Sequence, residues 1–245
     1  MRVALLADIH ANLPALRAVL AHSRRYKAEA AWNMGDSVGY GPFPNETLDH
    51  LRAQGVLSIL GDYDNKVLNF VRKESKWRKK KHPEKIIAFK WAYQTLTPDN
   101  RLYLRSLSWT QRFEAEGYRI LLVHGRPDAP AEYLDPHAAD EQLHTMAEQA
   151  QADIIICGHS HTPFAREIGG AWIINPGSVG RPDDGDPRAG YTLLTFRPGQ
   201  VTARYYRIPY NVTRVVSALE RHGLPATFAR MFTEGRNLDT IHKMH

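Results

Sequence analysis

Cysteine is nearly absent from this 245-residue chain, where Cys157 stands alone. One thiol forms no internal disulfide and builds no multi-cysteine zinc knuckle, so any metal must rest on histidine, aspartate, glutamate or asparagine. Long apolar runs are missing as well. None approaches the roughly 20 residues of a spanning helix, and the opening MRVALLADIH meets Asp8 before a secretory core forms, so a cytoplasmic protein with no membrane partner is expected. Internal repeats, low-complexity tracts and Gly/Ser linkers are lacking too, and residues 1–245 are read as one domain. A general basic coat is also excluded. The net charge is +6, but between Arg72 and Lys85 eight basic residues face only Glu74 and Glu84, so this one segment carries the whole excess.

What is present is a series of short apolar runs, each stopped by polar, Gly-containing punctuation. VALLA precedes Asp8, AAWNM Gly35, VLSIL Gly61, RILLV His124, DIIIC Gly158 and AWII Asn175. They read as buried strands. Helical spacing lies between the early ones, as in Leu13, Leu16, Val19 and Leu20, and in Leu48 and Leu51 after GYGPFPNE. The alternation argues an α/β (α+β) fold. After Asn175, GYTLLTF, RPGQ and VTARYYRI predict a hairpin, and the last 35 residues return to helix. A mixed sheet, or two sheets face to face, with helices outside, is expected. From about 65 to 110 only helical signals occur, including Thr97-Pro98 as a cap and first turn, which predicts a helical insertion.

The polar clusters all follow apolar runs: Asp8-Ile9-His10, Gly35-Asp36, Gly61-Asp62-Tyr63-Asp64, His124-Gly125, Gly158-His159-Ser160-His161 and Asn175-Pro176-Gly177-Ser178. Open α/β sheets place their sites at such strand ends. In Asp-x-His and His-x-His, residues two apart in extended backbone point the same way and reach a common region. Any one cluster is an ordinary turn or a structural histidine. Together, three carboxylates and four histidines supply donors for two ions, and that much charge at one sheet edge is costly without metal.

At these residues the sequence resembles the calcineurin-like metallophosphoesterase superfamily, whose pattern runs D-x-H, G-D, G-N-H-D/E, H-G and G-H-x-H. The resemblance covers nearly the whole chain. GDSVGYGPFPNE, LLVHGRP, CGHSHTPF and INPGSVGRPDDGDPRAGY look like its small bacterial phosphodiesterase-like, or diadenosine-tetraphosphatase-like, branch. It implies a two-sheet β-sandwich flanked by helices and a centre of two divalent ions. By position, one ion would take Asp8, His10, Asp36 and His161, and the other Asp36, Asp62, His124 and His159, with Asp36 shared. Metal-bound hydroxide would be the nucleophile. Three carboxylates and no thiolate favour manganese for turnover, with iron, zinc, nickel and magnesium as alternatives.

Two positions depart from the pattern. Asp62 stands where the family has a neutral asparagine, so the formal charge of the loaded centre falls by one and its pull on dianions weakens. Tyr63 replaces the histidine that serves the leaving group. A phenol of pKa near 10 is a poor proton shuttle at neutral pH. Tyr63 reads either as a hydrogen-bond donor at the site or as packing under the helical insertion, and Asp64 as an orienting group. Both departures point toward diesters. Ser178 reads as structural, Arg181 as a phosphate helper, Arg126 as a phosphate clamp or a surface ion pair, and Cys157 as buried and inert. His137, His144, His222, His242 and His245 are assigned no role.

Three functions follow. The first is a metal-dependent phosphoesterase acting on a small phosphate ester or nucleotide, a diester rather than a monoester. The second is a nuclease on the same centre, with the basic segment 72–85 and Trp77 as a nucleic-acid rail. The third is a non-catalytic scaffold of the same fold, like the retromer subunit that shares it. The complete ligand set counts against the third. The oligomeric state is not encoded in any of these motifs.

Overall fold

The computed structural model describes residues 1–243, and His245 lies outside them. The chain runs β1 (Arg2–Leu6), α1 (Leu13–Arg25), β2 (Ala30–Asn33), α2 (Pro44–Ala53), β3 (Leu57–Ser58), then four helices. These are α3 (Asp62–Leu68), α4 (Phe70–Arg78), α5 (Pro83–Thr95) and α6 (Pro98–Ser106), matching the strandless insertion. There follow β4 (Thr110–Ala115), β5 (Tyr118–Val123), α7 (Asp140–Ala150), β6 (Ile154–Ile156), β7 (Phe164–Ile168), β8 (Ala171–Asn175), β9 (Ala189–Arg197) and β10 (Gln200–Ile208). The described chain closes with α8 (Val212–Arg221), α9 (Ala226–Glu234) and α10 (Leu238–Lys243).

Two mixed sheets result, ordered β10-β9-β1-β2-β3 and β4-β5-β6-β8-β7. Alternation within each strand explains their packing. Val3, Leu5, Trp32 and Met34 of the first sheet meet Ile120, Leu122, Ile154, Ile156 and Ile174 of the second. The opposite faces are covered by helices: Ala4 and Leu6 pack with Leu16 and Val19 of α1, while Leu121 and Ile155 pack with Leu143 and Ala147 of α7. Because both faces are buried, the central strands read as continuous apolar runs. Local signals set the helix starts. Asn12 accepts the Ala15 amide and Thr97 the Asn100 amide, each with a proline in the first turn.

The predicted hairpin is β9 and β10, joined in register from Arg197–Gln200 to Ala189–Ile208. VLSIL departs from its reading as a full buried strand. Only Leu57 and Ser58 join the ladder, at the sheet edge, and Leu57 is exposed. The Ile59 amide still bonds Asn33 O, but the Leu60 amide turns away to Ser108 O, which carries the chain across toward the second sheet. Strands β1 and β2 run parallel, as do β5, β6 and β8, so their carboxyl ends gather the loops described next.

Candidate metal centre

Loop backbone pairing brings the polar clusters together. The Asp8 amide donates to Gly35 O, His10 to Asp36 O and Ala11 to Ser37 O, so the loops after β1 and β2 run side by side. Gly180 N donates to Asp8 O and Gly158 N to His124 O, which ties in the loops after β8, β5 and β6. The close approach of the β2 loop to the start of α3 requires glycine. A Cβ on Gly35, which has φ +92°, would lie 2.5 Å from Gly61 N, and one on Gly61 would lie 2.1 Å from Asp36 N.

Extended backbone is not what aims the ligands. Asp8, His10, Asp36, His159 and His161 have φ of 54°, 49°, 53°, 66° and 58°, all left-handed. Such conformations cost energy in non-glycine residues and persist where surrounding structure enforces them. The chain leaves the strand before each ligand and doubles back, so both members of Asp-x-His and His-x-His still face one region.

Two donor clusters form. Asp8, His10 and His161 make one, and Asp36, Asp62, His124 and His159 the other. His10 Nε2 lies 3.2 Å from His161 Nε2, which is 3.5 Å from Asp8 Oδ1. In the second cluster His124 Nε2 is 3.1 Å from His159 Nδ1, 3.4 Å from Asp36 Oδ1 and 3.8 Å from Asp62 Oδ1. Asp36 faces both, because its Oδ2 lies 3.9 Å from His10 Nε2. His159 is partly exposed, whereas the other six are buried.

The donor set fits metal ions. Ligands about 2.0–2.1 Å from a tetrahedral ion stand roughly 3.3 Å apart, close to the nitrogen and oxygen spacings seen. The buried Asp8 Oδ1 and Asp62 Oδ1 have no hydrogen-bond partner, a costly arrangement unless a cation serves them. The imidazoles are also oriented by outer partners. His124 Nδ1 lies 2.7 Å from Met34 O and His161 Nδ1 2.7 Å from Arg181 O, so each Nδ1–H donates outward and each Nε2 presents its lone pair inward.

Electrostatics follow from burial and crowding. Burial raises the Asp8 and Asp62 carboxyls, but neighbouring histidines, joined at Asp62 by Lys66, outweigh it and hold both below the usual range. Burial, aided by Asp62 and Asp8, leaves Asp36 raised. Burial drives His10 well down, while at His124 it is overcome by Asp36 and Asp62.

Asp64 belongs to neither cluster. Its carboxyl accepts amides of Ser37, Val38 and Gly61, pinning the β2 loop to the start of α3. Tyr63 stands edge-on to His10, with ring centroids 5.1 Å apart, and beneath Phe89 of α5, while its hydroxyl meets that of Tyr40 at 3.3 Å. Ser178 Oγ donates to Asp8 O and accepts the Arg181 amide. The buried Arg181 guanidinium lies 3.3 Å from His161 Nε2, whereas Arg126 is paired with Asp128 at 2.6 Å. Cys157 is buried, and burial pushes its thiol up to about 12. Lys66 escaped the sequence reading. One helical turn after Asp62, its ammonium pairs with Asp62 Oδ2, a spacing visible once α3 is known to begin at Asp62. The pair sets an ammonium against the charge that Asp62 adds.

A third cluster, His82, Glu84 and His242, lies on the surface. Its donors are spent: His82 Nδ1 accepts the Glu84 amide, and the Glu84 carboxylate takes Thr227 Oγ1 and His242 Nε2.

Fold and site together define a phosphoesterase of the two-sheet class. Residues 1–199 match the calcineurin-like phosphoesterase superfamily domain, and the chain belongs to that family of metal-binding hydrolases. The protein MJ0912 of Methanocaldococcus jannaschii is 30% identical over 251 residues, covering 96% of this chain and 98% of its own. Phosphodiesterase YfcE of Escherichia coli K12 is 24% identical over 204 residues, 79% of this chain and 87% of its own. A crystal structure of a metallophosphoesterase from Sphaerobacter thermophilus has a TM-score of 0.76 at 27% identity, with 96% of this chain and 99% of that one covered.

Proposed function

We propose that the protein is a phosphodiesterase working through two divalent ions, manganese foremost, that share Asp36. The observation that carries this reading is Asp36 itself, with one carboxylate oxygen toward His124 and the other toward His10. Asp8, His10 and His161 would complete one ion's shell, and Asp62, His124 and His159 the other's. Such a pair supplies an activated water at neutral pH and a clamp on the phosphoryl oxygens during in-line displacement. Arg181 adds a fixed positive charge beside His161 for the same oxygens. Beside His159 opens a cavity of about 990 Å³ lined by Arg126, Tyr133, Leu134 and Met146, which suits the organic part of the ester.

The choice of a diester rests on Tyr63. Burial drives its phenol well above the ordinary value, Tyr40 adding to the effect, which makes it a weaker general acid for a departing alkoxide than an imidazolium would be. Esters whose leaving groups need little help are favoured, among them aryl and strained 2′,3′-cyclic diesters. The relative YfcE, named a phosphodiesterase, supports the same direction. With manganese-reconstituted protein, kcat/KM for bis(p-nitrophenyl) phosphate is expected to exceed that for an alkyl monoester by about tenfold or more. Faster cleavage of the monoester overturns the reading.

A nucleic-acid substrate is favoured by one observation. Lys81, within the basic run, lies over the Trp77 ring at 5.8 Å, so that segment presents a cation and an aromatic face together. Steep salt dependence on oligonucleotides, absent on small diesters, would identify this substrate.

A further inference from the structure

Asp62 is divided between two partners. Its Oδ1 is buried without a hydrogen bond and faces His124 Nε2 at 3.8 Å and His159 Nδ1 at 3.6 Å. Its Oδ2 is taken by the Lys66 ammonium, one helical turn along α3. That ammonium is held a second time, 4.6 Å from the Tyr63 ring centroid, so the aromatic face and the carboxylate fix it together. The Lys66 side chain is only 25% exposed, which limits screening by water and salt.

We infer that Lys66 is a positioning residue for the second ion and a selectivity element for the anion. It rests on the reading of Asp62 as a ligand. By occupying Oδ2, Lys66 leaves Asp62 a one-oxygen donor, and by neutralising the carboxylate it keeps the loaded centre more positive. Two effects of opposite sign follow. An ammonium beside a cation site repels the ion and weakens its binding, yet the same charge attracts a phosphoryl dianion more than a monoanion. A purely structural lysine has no such signature, because loosening α3 would weaken both.

The test titrates Mn²⁺ into metal-free protein, then inorganic phosphate and dimethyl phosphate into the Mn²⁺-loaded form at about pH 8, where phosphate is mostly dianionic. In Lys66→Met, Mn²⁺ at the weaker site is expected to bind several-fold tighter. Phosphate should bind about tenfold more weakly, and dimethyl phosphate should change by less than about threefold. Lys66→Arg should stay near wild type in all three titrations. Parallel weakening of metal and phosphate, or equal effects on the two anions, overturns the inference while leaving the metal centre standing. If wild-type protein takes up no Mn²⁺, the ligand reading falls and Lys66 with it.

Discussion

At the scale of single residues, the site is held by donors whose alternatives have been removed. Asp36 is the sharpest case, because its Oδ1 accepts the Tyr63 amide at 2.7 Å while both oxygens face histidines. Asp36→Asn keeps the shape, and asparagine tolerates the left-handed backbone that Asp36 adopts. The metal-free variant is therefore expected to melt within a few degrees of metal-free wild type, yet in the presence of metal to lose roughly 100-fold or more in kcat/KM, together with one bound ion. His159→Ala, at the partly exposed rim, should do the same. Retention of near-wild-type turnover with full metal content in either variant would disprove the ligand assignment. Tyr63→Phe separates the phenol's chemistry from its packing. The ring contacts with His10, Tyr40 and Phe89 survive and only the 3.3 Å hydroxyl contact is lost, so kcat/KM for an aryl diester should stay within about threefold. A loss beyond tenfold would instead make the hydroxyl a donor to the substrate.

At the scale of elements, the helical insertion is part of the site's support. Phe89 of α5 is buried between Tyr63 and Trp77, at 5.2 and 5.4 Å, and so links the basic α4 to the aromatic wall of the centre. Phe89→Ala should cost about 3–5 kcal/mol and lower activity as Tyr63 relaxes from His10. Denaturant unfolding and a diester assay check both, and an unchanged activity would uncouple the insertion from the site. The same scale explains what the sequence disclosed. Central strands such as Ile154–Ile156, buried on both faces, are apolar throughout, and the hairpin is marked by its Pro-Gly turn and by the alternation of β10. Strands β4 and β7 lie at sheet edges with alternate residues exposed, so neither has an apolar run to mark it. The seven ligand candidates were legible because each follows a strand. Their left-handed backbone was not, since aspartate and histidine, though enriched among the non-glycine residues that adopt it, take ordinary conformations far more often and do not mark it as glycine does.

At the scale of the molecule, the two donor clusters join parts of the chain that the sheets alone leave apart. Asp8, His10 and Asp36 follow strands of the first sheet, His124, His159 and His161 follow strands of the second, and Asp62 opens the insertion. Ions held there would cross-link both sheets and α3, and would bind the folded state far better than the unfolded chain. Ligand present at 100 times its dissociation constant adds about 2.7 kcal/mol per site. For a chain of this length that corresponds to a melting-temperature rise of roughly 5–10 °C. Chelation should remove that increment, and manganese should restore both stability and turnover. Zinc supplies a discriminating control. Affinity alone ranks zinc above manganese, so zinc should restore the melting temperature at least as well. Turnover depends on more than retention: three carboxylates, no thiolate and the oxygen-rich pair Asp36 and Asp62 suit the harder ion, so the manganese form should be the more active. A protein whose melting temperature ignores chelation would show that the clusters are not cross-linked by metal. One that is fully active with zinc and silent with manganese would show that the oxygen donors do not select the working ion.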